Sequence, residues 1–297
     1  MIFNIKYFLK NILNNPIEGC LEFIEDYKKD NKYKDIINDK EKIWICGLPK
    51  SGTTLIEQIL DFLPYLRTDR SICRIFPNKD ELNVKNFKNY LNYFPDNKFS
   101  YVKTHLEFNK ELINTLNLNN FSIIVSFRDI RDAMISRYYH ILSDKSHWQH
   151  ELVKNENFET GFINSLKKET TKYKSNTKFQ EPLIYYYNWI FEWKSNQNKN
   201  ILKLWFEDFK DEPINYIKNI LNFTNFGNYD EKTILSNITR KNKQDESATL
   251  YKKLKRTNKN VSTFRSGKKG VWQELFTKKI NNEFLKIIPD DLSKILK

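Results

Sequence analysis

The sequence predicts a single α/β domain built on a parallel sheet, with ligand-binding residues where the strands end. Short apolar runs alternate with longer stretches of helical spacing, the order expected when crossover helices connect parallel strands. No Pro/Gly-rich linker and no internal repeat divides the 297 residues. In such sheets ligands bind at the carboxyl ends of the strands. The apolar runs are residues 43–46, 101–102, 121–127 and 201–206, and each is followed by polar side chains.

The composition fits a folded enzyme that needs neither disulfides nor a metal. Although only 39% of the residues are hydrophobic, 22 Phe, 16 Tyr and 6 Trp provide large burial per residue. Three scattered cysteines, Cys20, Cys46 and Cys73, are too few for a disulfide framework or a zinc site. They favour a reducing cytoplasm, and no His/Cys/Asp cluster has the spacing of metal ligands.

The chain is strongly basic. Its 50 Lys and Arg against 37 Asp and Glu give a net charge of +13, which suits a polyanionic partner such as a phosphorylated cofactor, nucleic acid or acidic membrane. The preferred explanation of the basic charge is translation of an AT-rich coding sequence, which also produces the excess of Lys, Asn and Ile. No recognisable nucleic-acid-binding motif is present, so no specific nucleic-acid partner is predicted.

No membrane span is predicted. Residues 1–13 mix apolar side chains with lysines and asparagines and lack the apolar core of a signal peptide. Their spacing is compatible with a helix on a membrane surface, but a helix packed on the domain is preferred. No segment approaches the roughly 18 apolar residues of a spanning helix. We therefore expect a soluble, cytoplasmic protein.

The first apolar run leads into a phosphate-binding loop, residues 47–54. Its backbone N–H groups and the following helix N-terminus offer donors to an anion, and Lys50 supplies positive charge. A standard nucleotide-binding loop has lysine directly after the second glycine, whereas here Thr53 follows Gly52. A plain ATPase or kinase interpretation is therefore weakened. The residues predicted to hold the phosphate groups are Lys50, Ser51, Gly52, Thr53 and Thr54; the alternative for Lys50 is a surface loop lysine.

The second run leads directly into Lys103-Thr104-His105. An imidazole has the intrinsic pKa best suited to take a proton from a hydroxyl near neutral pH, which makes His105 the candidate general base. Lys103 lies two residues earlier and points to the same face of the strand. The other histidines, His140, His147 and His150, lie in and after a helix.

The third run ends at Arg128, which can bind a phosphate bidentately. Asp129 and Asp132 are spaced like a capping box at a helix start. Ser136, 136 − 128 = 8 residues on, lies about two turns along and can add a hydroxyl on the same side. The alternative is that Arg128 pairs with Asp132 or another carboxylate.

Four segments in order resemble the sulfotransferases that use 3′-phosphoadenosine 5′-phosphosulfate (PAPS). The loop from Pro49 to Thr54 resembles the signature of that family, and residues 100–105 resemble its strand ending in Lys-Thr-His. Residues 127–136 resemble its 3′-phosphate segment, and residues 265–272 with Phe276-Thr277 resemble its closing Arg-Lys-Gly, Gly-Asp-Trp and Phe-Thr pattern. The resemblance covers roughly residues 40–285, so it implies the P-loop-like fold of the family, flanked by helices, over one domain, residues 1–297.

The resemblance also implies roles for individual residues. Lys50 stabilises the leaving phosphate, His105 is the catalytic base, and Lys103 supports the sulfuryl group. Tyr187 resembles the tyrosine that contacts adenine; a helix-core aromatic is the alternative, because Tyr185 and Tyr186 stand beside it. The residues implied at the 3′-phosphate of PAPS, and of its product adenosine 3′,5′-bisphosphate, are Arg128, Ser136, Arg265, Gly267 and Lys268.

Three positions depart from the family pattern. Leu55 stands where the family usually has a tryptophan that stacks on adenine, Ser266 stands for lysine, and Val271 stands for aspartate. The departures at Leu55 and Val271 suggest a non-catalytic rival, a pseudoenzyme that binds a nucleotide or polyanion. The enzymatic rival is a P-loop small-molecule or nucleotide kinase, which requires a divalent metal.

The acceptor is expected to be a small molecule with a hydroxyl or amine. The family contacts it between the loop and His105 and after Ser136. Aromatic side chains there favour an apolar or aromatic acceptor, although such side chains also suit a core: Phe76, Phe87, Tyr90, Phe94 and Trp148. The short dimer motif of the family would fall on residues 273–282, where only Thr277 matches, so the oligomeric state is left open.

Overall fold

Among the residues that the structure describes, five parallel strands form a central sheet in the order β2-β3-β1-β4-β5. The computed structural model describes residues 42–63, 67–68, 100–167, 181–243, 268–288 and 290–297. The strands are β1 (Lys42–Gly47), β2 (Arg67–Thr68), β3 (Ser100–Thr104), β4 (Phe121–Phe127) and β5 (Ile201–Trp205).

Helices follow the strands and cover both faces of the sheet. They are α1 (Thr53–Asp61), α2 (Lys110–Leu118), α3 (Ile130–Ser143), α4 (His150–Val153), α5 (Phe158–Leu166), α6 (Pro182–Ser195), α7 (Phe206–Asp211), α8 (Pro213–Phe223), α9 (Glu231–Lys243), α10 (Val271–Leu275) and α11 (Lys278–Ile287). The predicted fold class, an α/β protein with a P-loop-like parallel sheet flanked by helices, is therefore confirmed.

The side chains of β1 alternate between two cores. Trp44 and Cys46 pack into the cluster beneath α3, α5 and α6, whereas Ile43 and Ile45 pack against α1 and α8. All four are fully buried. A central parallel strand is apolar along its whole length because helices cover both of its faces, and β1 has this pattern.

The chain order reverses at β1. β1 pairs with β3 on one side and with β4 on the other, so the connections leave it in opposite directions. A crevice forms at such a switch point, outside the carboxyl end of the strand. The loop that follows β1 and the residues after β3 and β4 are thereby brought to one place.

Several predicted segments lie outside the described residues. They include the N-terminal residues 1–41 and most of the residues between the loop and His105. Arg265, Ser266 and Gly267 of the C-terminal motif also lie outside, whereas Lys268 and Val271 are described.

Candidate active site

The loop after β1 turns sharply into α1. Lys50 has φ of 74° and Gly52 has φ of 103°, both in the left-handed region. Gly52 is the N-cap of α1 and offers no side chain to cap it. A Cβ at Gly47 would come within 2.7 Å of the Ser51 Oγ and 3.0 Å of the Ser126 carbonyl oxygen. The helix start is thus a tight backbone turn of the kind that binds anions.

Five successive carbonyl groups of this loop, residues 47–51, each accept a hydrogen bond from the protein. When carbonyl groups are held outward in this way, the N–H groups of a loop can face the opposite side and form an anion-binding nest. Gly47 O is bound by His105 Nδ1, Leu48 O by Ser51 Oγ (2.8 Å), Pro49 O by Tyr186 Oη (3.0 Å), Lys50 O by Arg128 Nη1 (3.3 Å) and Ser51 O by Ser126 Oγ (2.7 Å).

Lys50 is a desolvated cation. Burial, followed by repulsion from the Lys103 ammonium, lowers the pKa of Lys50 to about 8. Among the described residues, no carboxylate lies within 4.0 Å of its ammonium. A cation that is partly dehydrated and lacks an acidic partner favours an anionic ligand.

His105 binds the loop directly. Its Nδ1 lies against the carbonyl oxygen of Gly47, which can only accept, so Nδ1 carries the hydrogen of the neutral ring. Nε2 is then the nitrogen able to take up a proton. Lys103, on β3, instead forms an ion pair with Glu57 of α1. Its ammonium is half-buried there, close enough to Lys50 to lower the pKa of Lys50.

Arg128 joins the loop to the C-terminal segment. Besides its bond to Lys50 O, its Nη2 donates to the carbonyl oxygen of Lys268 at 3.0 Å. Its guanidinium lies 4.6 Å from the ring centre of Phe206, a cation–π contact. These contacts hold backbone at both ends of the site. Arg128 also opposes the rise in pKa that burial causes in Asp132 and Glu207, so pairing with Asp132 or another carboxylate stays the alternative.

The start of α3 differs from the predicted capping box. Asp129 does cap the helix, since its Oδ1 accepts from Arg131 N at 2.9 Å. Asp132, however, accepts from the backbone N–H groups of Gly270 (2.6 Å) and Trp272 (3.0 Å). The N–H of Asp129 donates instead to Glu207 Oε1 at 3.1 Å. The reciprocal bond is absent because a carboxylate on α7 takes its place.

Tyr187 does not face the loop. Its hydroxyl donates to the carbonyl oxygen of Asp291 at 3.2 Å, and its ring stacks on Phe191. Tyr186, one residue earlier, is the tyrosine that reaches the loop. Consecutive residues of a helix point about 100° apart, so the choice among the three tyrosines depends on how α6 docks on the sheet.

Phe206 is a site residue that the sequence interpretation missed. It begins α7, and its ring would lie 3.0 Å from a Cβ at Gly52. It therefore supports both Gly52 and Arg128. The available signal was its position directly after β5, at the same sheet edge as the other strand ends.

The remaining predicted residues lie around this edge. Thr53 is buried at the start of α1, whereas Thr54 is exposed. Ser136 lies half-buried in α3, and Lys268 is exposed. Trp148 stacks on His147, and burial with repulsion from Arg137 lowers the pKa of His147 to about 4. The other aromatic residues proposed for the acceptor lie outside the described part of the chain.

Within the described ranges, no group of three or more His, Cys, Asp or Glu side chains is arranged to hold a metal ion. None of the helices described is both long and apolar enough to cross a bilayer.

A tight loop at a helix start, a partly buried lysine and an arginine at the switch point of a parallel sheet define an α/β protein whose site suits a phosphorylated ligand. The chain belongs to the sulfotransferase family, because the family model for the sulfotransferase domain matches residues 40–295. It is accordingly a PAPS-dependent sulfotransferase.

Known proteins agree with this assignment. The chain is 28% identical to mouse sulfotransferase 1 family member D1, over 86% of this chain and 85% of the relative. It is 25% identical to human sulfotransferase 1C2, over 93% and 91%. Its fold is similar to that of mouse sulfotransferase SULT7A1 complexed with PAP, with a TM-score of 0.57 at 19% identity over 83% of each chain. Retinol dehydratase in complex with androsterone and PAP has a TM-score of 0.51 at 18% identity, over 88% of this chain and 84% of that one.

Proposed function

We propose that this sulfotransferase transfers the sulfuryl group of PAPS in line to a hydroxyl or amine of a small-molecule acceptor, with His105 as general base. The observation that carries the proposal is that His105 and Arg128 both bind the carbonyl groups of the Lys50 loop. The candidate base, the candidate phosphate ligand and the lysine are thus linked through one short piece of backbone.

The residues present fit PAPS and its product, adenosine 3′,5′-bisphosphate. When bound, PAPS supplies an activated sulfuryl group whose departure leaves negative charge on the phosphate oxygen. The outward carbonyl groups of residues 47–51 and the lowered pKa of Lys50 both suit an anion. The residues that would hold the cofactor are Lys50, Ser51, Gly52, Thr53, Thr54, Arg128, Ser136 and Lys268, to which the family resemblance adds Tyr187, Arg265 and Gly267.

Each side chain has a distinct task in this proposal. His105 Nε2 removes the proton of the acceptor, and the Gly47 carbonyl oxygen keeps the other ring nitrogen protonated. The Lys50 ammonium stabilises charge that develops only as the transferred group leaves, so it accelerates the reaction. Lys103 adds positive potential near Lys50, and the Glu57 carboxylate neutralises part of its charge.

The test compares His105→Ala with the intact protein. We expect the affinity for adenosine 3′,5′-bisphosphate to fall by no more than about tenfold, the value of the lost hydrogen bond to Gly47 O, whereas the rate of sulfuryl transfer falls about 10²- to 10⁴-fold, the usual value of a positioned base. Calorimetry measures the first quantity. A screen of acceptor classes with radiolabelled PAPS provides the acceptor for the second.

A rate for His105→Ala within about threefold of the intact protein would contradict this role, because a positioned base normally contributes far more. Lys103 would then be the next candidate. Turnover of ATP that requires Mg²⁺ would favour the kinase alternative instead. Tight bisphosphate binding without turnover of any acceptor class would favour a pseudoenzyme.

A further inference from the structure

One face of α6 contacts the two parts of the active site at once. Tyr186, Trp189 and Trp193 are spaced by 189 − 186 = 3 and 193 − 189 = 4 residues, so they lie along one side of the helix. The hydroxyl of Tyr186 donates to Pro49 O in the loop at 3.0 Å. Both indole N–H groups donate to one carbonyl oxygen, that of Leu106, at 2.7 Å from Trp189 and 3.2 Å from Trp193.

Leu106 directly follows His105. Its carbonyl oxygen also accepts from Cys46 Sγ at 3.3 Å, so three donors converge on it. Trp189 is 1% exposed and Trp193 is fully buried, as is Cys46. A peptide group held by three buried donors has little freedom to rotate, because any turn breaks hydrogen bonds that water cannot replace.

We propose that this donor face, formed by Tyr186, Trp189 and Trp193, positions His105 relative to the phosphate-binding loop. Tyr186 fixes the loop, the two tryptophans fix the Leu106–Glu107 peptide, one residue beyond His105, and α6 holds both at one distance. The inference rests on the proposed function and adds three positioning residues to it. In this proposal none of the three takes part in proton or sulfuryl transfer.

Two further observations support the inference. α6 is firmly anchored, since Leu183 and Ile190 are buried in the same core as the tryptophan rings. In addition, His105 reaches back to Gly47 O, so a shift of the backbone at Leu106, the next residue, alters the contact that sets which ring nitrogen carries the hydrogen. Weakening the donor face should therefore affect the tautomer of His105 as well as its position.

The experiment removes the two indole N–H donors and keeps an aromatic ring, a smaller one, at each position. The double variant Trp189→Phe/Trp193→Phe should lower transfer about tenfold or more, because small misplacements of a reacting group are costly. Its bisphosphate affinity should stay within about twofold of the intact protein, because the loop keeps its own contacts. Tyr186→Phe should instead weaken bisphosphate binding about three- to tenfold, the value of one hydrogen bond. The matched controls are Trp205→Phe, at the end of β5, and Tyr185→Phe, on the neighbouring position of α6.

Nitrogen-15 NMR of the His105 ring provides a readout that a purely structural role would not move. The intact protein should show the Nδ1–H tautomer, and the double variant should show a mixture. This signal needs no acceptor, so it tests the inference independently of turnover. The proposed function fails separately, if the intact protein transfers no sulfuryl group to any acceptor.

Unchanged turnover and an unchanged tautomer in a folded double variant would overturn the inference. A parallel loss of turnover, bisphosphate affinity and stability would also overturn it, since it would indicate general damage to the core. If the double variant does not fold, the single variant Trp189→Phe, which removes the shorter bond, is measured in the same way.

Discussion

Lys50 has two energetically unfavourable features, a left-handed backbone and a partly buried ammonium. Its backbone is left-handed, which costs a residue other than glycine about 1–2 kcal/mol. Its ammonium is also partly removed from water, which lowers the pKa of Lys50 to about 8. Bonds to the neighbouring carbonyl groups from Tyr186 and Arg128 keep the loop in this conformation. Strain of this kind persists where the surrounding structure determines it and where function uses it.

We predict that bisphosphate binding weakens as the pH rises above about 8, where Lys50 loses its proton in the free protein. The charged form predominates below this pKa and is the form that attracts the anion. Binding favours that form further, so the midpoint should lie at or above 8. Loss of the charge should weaken binding roughly 10- to 100-fold, the range for a hydrogen bond to a charged group. Calorimetric titrations from neutral to alkaline pH measure the effect.

Lys50→Arg is the matched control because a guanidinium stays protonated throughout this range. Its binding should change much less with pH, and Lys50→Met should bind weakly at every pH. An identical alkaline loss in Lys50→Arg would assign the pH dependence to another group.

At the scale of elements, the start of α3 connects two distant parts of the chain. The Asp132 carboxylate holds the backbone of Gly270 and Trp272, and the Arg131 guanidinium lies 3.5 Å from the ring centre of Trp272. These contacts place Lys268 where Arg128 can bind its carbonyl oxygen. α3 therefore docks the C-terminal segment next to the site.

We predict that Asp132→Asn releases this segment. An amide keeps only one acceptor oxygen and adds a donor, so the two N–H groups lose part of their partner. The free energy of unfolding should fall by about 1–3 kcal/mol, the cost of leaving a buried group unsatisfied. Urea denaturation measures the loss, and calorimetry should show weaker bisphosphate binding. Asp144→Asn, at the other end of α3, is the control, since Asp144 binds Ser146 near the surface. Equal effects of both substitutions would contradict a docking role for Asp132.

The sheet and the strand-end residues were predictable from the sequence, whereas the direction of side chains on helices was not. Apolar runs specify buried parallel strands, and these bring Lys50, His105 and Arg128 to one edge. Glu57 was missed as the partner of Lys103 because the contact depends on the packing of α1 against the strands. The contact of Tyr186 with the loop was not predicted, because sequence spacing does not specify the rotation of α6.

At the scale of the whole molecule, the site is assembled from segments far apart in the chain. Arg128 bridges the loop after β1 and the segment after residue 267, with its two nitrogens on Lys50 O and Lys268 O. A ligand whose anionic groups contact both the loop and Arg128 should stabilise the ends of this bridge together. Adenosine 3′,5′-bisphosphate has both phosphates, whereas AMP lacks the 3′-phosphate.

We therefore predict that the bisphosphate binds much more tightly than AMP and slows hydrogen exchange in two places. Protection should rise at residues 51–54 and also at Gly270 and Trp272, whose N–H groups are held by Asp132. AMP should protect only the loop. Arg128→Ala should lose about 2 kcal/mol or more of bisphosphate binding if the contact is charge-assisted, and only about 0.5–1.5 kcal/mol of AMP binding, the value of its bond to Lys50 O in the loop.

Exchange measured by mass spectrometry at equal fractional saturation separates these outcomes. α8 provides an internal reference, because it packs on the opposite side of the sheet from α3. Equal affinities for the two nucleotides would contradict the assignment of Arg128 and Ser136 to the 3′-phosphate. Protection by the bisphosphate that stops at the loop, with residues 270–272 unchanged, would show instead that the C-terminal segment closes independently of the ligand.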